Sequence, residues 1–378
     1  MKIRRIRVYK ALVAVLMMTF SLLFLQCCGN PNNPIISDSV EPYTVLSITP
    51  TYSFPNNVAI SNGKLYLAQN FPEVLIYDFS NTGTLTLIDT LIDDVEDPVH
   101  FIGVAEDMNI LFVNYKSNTR AYWLDELLFT NFEFGSSKVR DLLAVSRTDT
   151  VVSEYDNDYH SADVAMLLTA DSDAEDAFAK DYIFYDSLEY NDSTRYDFRH
   201  VRQAVGLHYS GQAPLGLAFA SGYDTLVVGL ADFGVGVADM SNTLGQSDHG
   251  DWIGFADTPG EATHLKAEGG YAYVADGIAG LAIVDISDLL APEYVTSWRI
   301  DGLDHAVDIA IHGNALALLD QFDGVYLLNI SDPENPVHVG EYLVREPTSV
   351  TFSDEGFLVI TSHGEGLTIL ELISPEFL

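Results

Sequence analysis

From Tyr43 onward, apolar residues gather in short runs of Val, Ile, Leu, Tyr and Phe, separated by Gly, Asn, Asp and Pro. In YAYVAD (Tyr271–Asp276) and VDIAIHG (Val307–Gly313) apolar and polar positions alternate. That period of two turns one side of an extended chain toward a core. The wider spacing of an amphipathic helix is absent from most of the stretch. The pattern predicts short β-strands joined by tight turns.

The strands come in copies. GGYAYVADGIAGLAIVDISDLLAPEYV begins at Gly269, and GNALALLDQFDGVYLLNISDPENPVHV begins 44 residues later. A glycine before the third apolar run recurs at Gly234, Gly280, Gly324 and Gly366, at spacings of 46, 44 and 42. A first unit runs from Asn56 to Gly83, with Glu73 in place of the glycine, and a weaker second from His100 to Phe129. The third lies between about Ser137 and Gln212, with Val139–Ser146, Thr150–Asn157, Ala162–Ala170 and Asp181–Tyr190 as its strands. It exceeds the repeat by about 30 residues and therefore holds an insertion. Seven units of four strands predict an all-β fold, a seven-bladed β-propeller of four-stranded antiparallel blades. The last unit stops after its third strand, at Leu367–Ser374, whereas Tyr43–Ser53 resembles a fourth strand without a unit. The N-terminal strand is thus expected to complete the last blade and leave no open edge there.

Upstream, the pattern changes. MKIRRIRVYK is basic, and ALVAVLMMTFSLLFLQ is almost wholly apolar. These are the n- and h-regions of a signal peptide, and the run is short for a membrane span. LFLQCCGN follows, with Leu25 three residues before Cys28 and a small side chain directly before it. This resembles the bacterial lipobox, whose cysteine becomes the lipid-modified first residue of the mature chain; Gln26 departs from the usual small residue. Cys27 is the weaker candidate, because the bulky Gln26 would sit at the cut. No acidic residue directly follows Cys28 to mark inner-membrane retention. The expected organisation is a signal peptide over 1–27, a flexible Asn-, Pro- and Ser-rich tether over 28–42, and a propeller over 43–378 with an insertion within about 137–212.

Cys27 and Cys28 are the only cysteines, so the folded part has neither disulfide nor cysteine-ligated metal. The formal net charge is −37. Cleavage would remove five basic residues (Lys2, Arg4, Arg5, Arg7, Lys10) and no acid, leaving 13 basic against 55 acidic residues, a net of −42. Such a surface repels phosphate and argues against nucleic acid as a partner. It suits either multivalent cation binding or a solvated acidic surface in salty surroundings.

LAIVDISD (Leu281–Asp288) and YLLNISDPENP (Tyr326–Pro336) resemble the LVIVD repeat, named for that third strand. The resemblance is strong over Gly269–Val339, fair over Leu215–Asn242 and Thr348–Ser374, weak from Asn57 to Asp125, and poor in the third unit. It implies a propeller in an exported or surface setting, here the bacterial outer membrane or cell surface. Its apolar letters would fill the core between blades, and the Asp or Asn before "IS" would bond backbone amides at a turn. It brings no common catalytic residues.

In a four-strand meander, the loops between strands two and three share one face with the loops between blades. Those loops bring Asp232, Asp276, Asp320, Asp323, His363 and Glu365 to one rim. Aligning the start of each innermost strand puts Asn57, Gly216, His264, Asp308 and Ser349 around the central channel, with His100 near the corresponding place. Oxygen ligands there suit Ca²⁺, and His264 or His100 would admit a transition metal; His264 and Asp308 are the first metal candidates. The competing reading is that these side chains bond exposed backbone and hold water. No other cofactor is evident.

Specific motifs fail. Asp171–Tyr182 begins like a Ca²⁺ loop but has Asp176 where glycine is needed and Tyr182 where a bidentate glutamate belongs. Asp156–Asp163 has metal-like letters without a recognised spacing. Phe233–Val237 lacks the third glycine and the helix of a dinucleotide loop, and no G-x-S-x-G or H-E-x-x-H occurs. The insertion around 171–205 mixes acids with Tyr, Phe, Arg and His; it reads either as a partner- or glycan-binding appendage or as a long decorated blade. The expectation is a lipid-anchored, extracytoplasmic binding or scaffolding propeller presenting loops to an envelope protein or polysaccharide. The alternatives are a hydrolase or lyase using channel carboxylates, with or without a cation, and a purely structural envelope protein.

Overall fold

The computed structural model describes residues 41–80, 85–135, 139–152, 159–171, 178–185, 214–220, 224–239 and 251–377. The expected signal peptide, Cys28 and nearly all of the tether lie outside the described residues, as does most of the insertion around 171–205. Residues 42–378 form one compact unit.

Blades take the number of the sequence unit that builds them. β1 (Tyr43–Thr49) precedes the first blade in the chain and pairs with none of its strands. Blade 1 is β2 (Pro55–Ser61), β3 (Lys64–Gln69), β4 (Phe71–Asp78) and β5 (Thr86–Leu91). Blade 2 is β6 (Val99–Ala105), β7 (Ile110–Tyr115), β8 (Asn118–Trp123) and β9 (Phe129–Gly135). Unit 3 forms β10 (Val139–Val152), β11 (Tyr159–Asp171) and β12 (Phe178–Tyr185). Blade 4 is β13 (Gly216–Phe219), β14 (Thr225–Gly229), β15 (Val235–Asp239) and β16 (Asp251–Ala256). Blade 5 is β17 (Leu265–Glu268), β18 (Tyr271–Ala275), β19 (Leu281–Asp285) and β20 (Glu293–Trp298). Blade 6 is β21 (Ala306–His312), β22 (Ala315–Asp320), β23 (Gly324–Asn329) and β24 (Val337–Leu343). Blade 7 is β25 (Pro347–Phe352), β26 (Phe357–Ser362) and β27 (Gly366–Leu372), completed by β1, which pairs antiparallel with β27.

The expected count of seven four-stranded blades is thereby corrected: among the described residues six blades are four-stranded, and unit 3 contributes a three-stranded sheet. The stretches Val139–Ser146 and Thr150–Asn157 were expected as separate strands. Instead Val139–Val152 is one strand of 14 residues, paired along its length with β11. No Gly, Pro or Asn interrupts VRDLLAVSRTDTVV, and its Ser146 and Asp149 are held in the ladder with β11 rather than in a turn. β10 nonetheless packs against β6 on one side and β13 on the other.

Burial explains the patterns within a blade. The second strands lie between neighbouring blades on both faces, so β7 and β22 are buried at every position. The fourth strands face solvent, and β5 and β20 are mostly exposed or half-buried. The core is a series of apolar layers between blades. Tyr273, Leu281 and Ile283 of blade 5 pack on Ile309, Leu316 and Leu318 of blade 6, and Val58, Leu65 and Leu67 of blade 1 pack on Val359, Leu367 and Ile369 of blade 7.

The recurring glycine has a double cause. Gly280 has φ +86°, and a Cβ there would stand 2.5 Å from the carbonyl oxygen of Trp298, at the end of the fourth strand. Gly366 has φ +88°, and its Cβ would stand 2.4 Å from the oxygen of Thr49. Left-handed backbone and the close carbonyl both demand glycine. At Gly366 the carbonyl belongs to β1, so the N-terminal strand closes the ring through the contact that fourth strands make elsewhere.

The Asx turns expected before "IS" are present. Asp285 Oδ1 accepts the Ser287 amide at 2.8 Å, and Asn329 Oδ1 accepts the Ser331 amide at 2.7 Å.

Candidate functional site

The first strands begin, and the second strands end, on the same face of the molecule. On that face a cavity of about 740 Å³ opens at the ring centre, lined by inner-strand residues that include Asn57, His100, Asp141, His264, Asp308 and Ser349. Five of the inner strands carry a register shift near their first residues, for example between Ala306 and Asp308. Such a bulge re-aims the side chain that follows it.

What these side chains touch is mostly backbone. Asp308 Oδ1 accepts the amide of Ile309 at 2.8 Å, and its Oδ2 accepts the amide of Val350, on blade 7, at 2.9 Å. Asp141 repeats the arrangement: Oδ1 accepts Leu142 and Oδ2 accepts Leu217 of blade 4, both at 2.8 Å. Asn57 Oδ1 accepts Ile102 of blade 2 at 3.1 Å. In each case the acceptor reaches the same position in the next described inner strand, so these residues staple neighbours together. Ser349 is buried, and His264 Nδ1 is enclosed without a hydrogen-bond partner. His100 sits one residue before the aligned position, which Phe101 occupies. Burial and the Lys116 charge lower the His100 pKa, against an opposing pull from Asp97.

The glycine at this position in blade 4 is steric. A Cβ on Gly216 would stand 2.2 Å from the Thr263 carbonyl oxygen. Asp141 escaped alignment because unit 3 lacks the punctuation that marks the others. Arg140, Glu261 and Lys266 also line the cavity and were not anticipated.

The six rim residues divide. Asp320 is fully buried: Oδ2 accepts the amides of Asp304 and His305, and Oδ1 those of Phe322 and Asp323. Asp276, at the same repeat position, is also fully buried and accepts from Thr258 Oγ1 at 2.7 Å and the Gly260 amide at 2.8 Å. Burial outweighs those bonds and pushes its pKa up to about 6. Both lock the turn between strands two and three to the loop leading into their own blade. Asp232 and Asp323 are exposed. Glu365 Oε2 accepts from Tyr342 Oη at 2.8 Å and Thr368 Oγ1 at 3.3 Å. His363 Nδ1 lies 3.6 Å from Glu346 Oε2. Among the described residues, no three His, Cys, Asp or Glu side chains converge as a metal would require.

The rim instead presents apolar side chains. Phe71, Ile278 and Phe322 each stand two residues before the recurring glycine position, and Phe233 one residue before it. All are exposed, Ile278 at 64% and Phe322 at 52%. The sequence carried this signal as a large apolar residue inside a turn where polar ones are usual. Where blade 7 meets blade 1, Tyr52 and Phe54 add to the ring, exposed at 62% and 54%.

These blades define the protein as a β-propeller. Solved structures agree in fold: the structure of U3-55K (TM-score 0.61, 11% identity, 87% of this chain and 98% of that one), the Cps50 (Swd1) β-propeller domain of Myceliophteria thermophila (0.60, 10%, 88% and 100%), and the WD40 β-propeller domain of Doa1 (0.61, 9%, 89% and 99%). At such identities the likeness speaks for the fold alone. Residues 259–299, which span blade 5, match the LVIVD repeat family. By sequence, no curated protein matches the chain.

Proposed function

We propose that the chain is a binding or scaffolding propeller that presents its channel face to an envelope protein or polysaccharide, held to the membrane by a lipid on Cys28. In this reading the sheet of unit 3 occupies a seventh position in the ring, since β10 packs between β6 and β13. The observation that carries the reading is the rim. Phe71, Phe233, Ile278 and Phe322 repeat an exposed apolar side chain on one face, where a monomer rarely gathers such surface without a use. The channel carboxylates favour binding over hydrolysis, because Asp141 and Asp308 each spend both oxygens on backbone amides.

The test is a crosslinking capture of the tagged protein from intact cells, comparing wild type with an Ile278→Asp/Phe322→Asp variant. A discrete partner seen with wild type and lost with the variant is expected. Undiminished capture by the variant would remove the rim from the account. In the same cells Cys28→Ala should release the protein from membranes, and continued attachment would contradict the lipid anchor.

A further inference from the structure

The seam where the ring closes carries a hollow with its own chemistry. It encloses about 420 Å³ and is lined by residues 50–54, the β3–β4 turn (Asn70, Phe71) and the β26–β27 turn (His363–Gly366). Its frame is fixed by backbone. The Asn70 amide donates to Phe54 O at 2.8 Å, the His363 amide to Glu346 O at 3.0 Å, and Thr51 Oγ1 to Ser53 O at 2.6 Å. Its walls are aromatic. Tyr52 and Phe71 stand 5.9 Å apart, and Phe54 and His363 4.5 Å apart, between ring centroids.

Tyr52 is held although its ring is exposed. Its hydroxyl donates to Glu73 Oε2 at 2.5 Å and accepts from Gln69 Nε2 at 2.8 Å. Desolvation, and then the Glu73 bond, push its pKa up to about 12, so the ring stays a neutral phenol. An aromatic side chain fixed in this way loses little entropy on binding. The surrounding charge is acidic: Glu73 holds Tyr52, Glu365 lines the hollow, and Glu346 flanks His363. The adjoining hollow carries Arg345, but beside Asp301, Asp323, Glu341 and Glu365.

Aromatic faces present negative potential, and a cation set among them is attracted more strongly where carboxylates stand behind the rings. We propose that this seam hollow is a cation-binding site that receives the guanidinium or ammonium group of a partner polypeptide's side chain. The site rests on the channel face being a recognition surface, but it is tested without the natural partner. The occupant is cationic, rather than simply apolar, because Glu365 lines the hollow and Glu73 and Glu346 stand behind its rings, at Tyr52 and His363, in a strongly acidic chain. The site exists only in the closed ring, since β1 belongs to blade 7 and β2 to blade 1, and Pro50–Phe54 crosses between them.

The experiment measures binding of Nα-acetyl-arginine amide and of its neutral isostere, Nα-acetyl-citrulline amide, by calorimetry at low ionic strength on the full chain. Arginine is expected to bind and citrulline to bind at least tenfold more weakly. Tyr52→Leu should weaken arginine binding roughly threefold, and Tyr52→Leu/Phe54→Leu roughly tenfold. Tyr52→Leu leaves the buried Gln69 amide without its acceptor, so both variants should melt below the wild type yet remain folded at the temperature of the binding measurement. Phe54→Leu alone should melt with the wild type and still weaken binding, and Tyr52→Phe should restore part of the affinity. Three results would overturn the proposal: equal binding of the two probes, unchanged affinity in the double variant, or no arginine binding at millimolar concentration. None of these bears on the rim capture experiment, so the wider reading would survive them.

Discussion

The channel mouth and the closure seam differ in what their side chains have left to offer. Around the channel, Asp308, Asp141 and Asn57 look like ligands in waiting, yet their oxygens accept amides from their own or the next inner strand. At the seam, Tyr52 commits its hydroxyl and keeps its ring face open. Polarity inside a propeller is first a structural need, because a narrow ring of strand ends leaves amides facing a channel, and buried amides require acceptors. The surface still available for a partner is the apolar rim, which no backbone needs.

The largest effect that would sharpen this contrast is at Asp320. Asp320→Ala strips acceptors from four backbone amides at a fully buried position. It should cost about 3–5 kcal/mol in urea unfolding, and a loss below about 1 kcal/mol would mean that water or local rearrangement replaces the carboxylate.

Asp276 gives a pH-dependent version. Its folded pKa, about 6, stands above the ordinary 3.8, so the folded state holds the proton more tightly than the unfolded chain between those values. Its contribution to stability is therefore greatest below about pH 4, falls as pH rises to 6, and stays low above, by up to about 3 kcal/mol. The difference in melting temperature between wild type and Asp276→Asn should change over this window and be flat above pH 7. A constant difference from pH 4 to 7 would mean that the Asp276 carboxyl titrates like an ordinary one.

The smallest expected effect is at the rim. Ile278→Ser or Phe322→Ser should move stability by no more than about 0.5 kcal/mol, because neither side chain is buried. A larger loss would make the rim structural and break the contrast from the other side.

How much of this the sequence discloses depends on punctuation. Blades 4 to 7 are legible because a glycine at the start of the third strand is forced by left-handed backbone and a carbonyl within contact distance, as at Gly280 and Gly366. Closure by residues 43–49 is legible because an unpaired fourth-strand pattern and a unit lacking one stand at opposite ends. Unit 3 is not, since Val139–Val152 has β-forming residues and no Gly, Pro or Asn, and its Ser146 and Asp149 mark a turn that the chain does not make. Asp141 was lost with it. The inner-strand alignment does bring Asn57, His264, Asp308 and Ser349 to one cavity, but alignment cannot reveal that Asp308 bonds Val350 across a blade boundary. The seam was hidden for a related reason. Tyr52 and Phe54 lie between β1 and β2, where no other unit offers a counterpart to align, and they meet Phe71 and His363 only when the ring shuts.

The most direct test sets the two regions against each other in one experiment: thermal unfolding and Nα-acetyl-arginine amide binding, measured on Asp308→Ala and on Tyr52→Leu/Phe54→Leu. The account predicts that Asp308→Ala unfolds at lower temperature, having lost about 2 kcal/mol, and binds the probe like wild type. The double variant, which leaves the Gln69 amide without its Tyr52 acceptor, should lose some stability but stay folded, and bind roughly tenfold more weakly. The reverse pattern, a stable Asp308→Ala that no longer binds beside a double variant that does, would make the channel carboxylate the ligand and contradict the account.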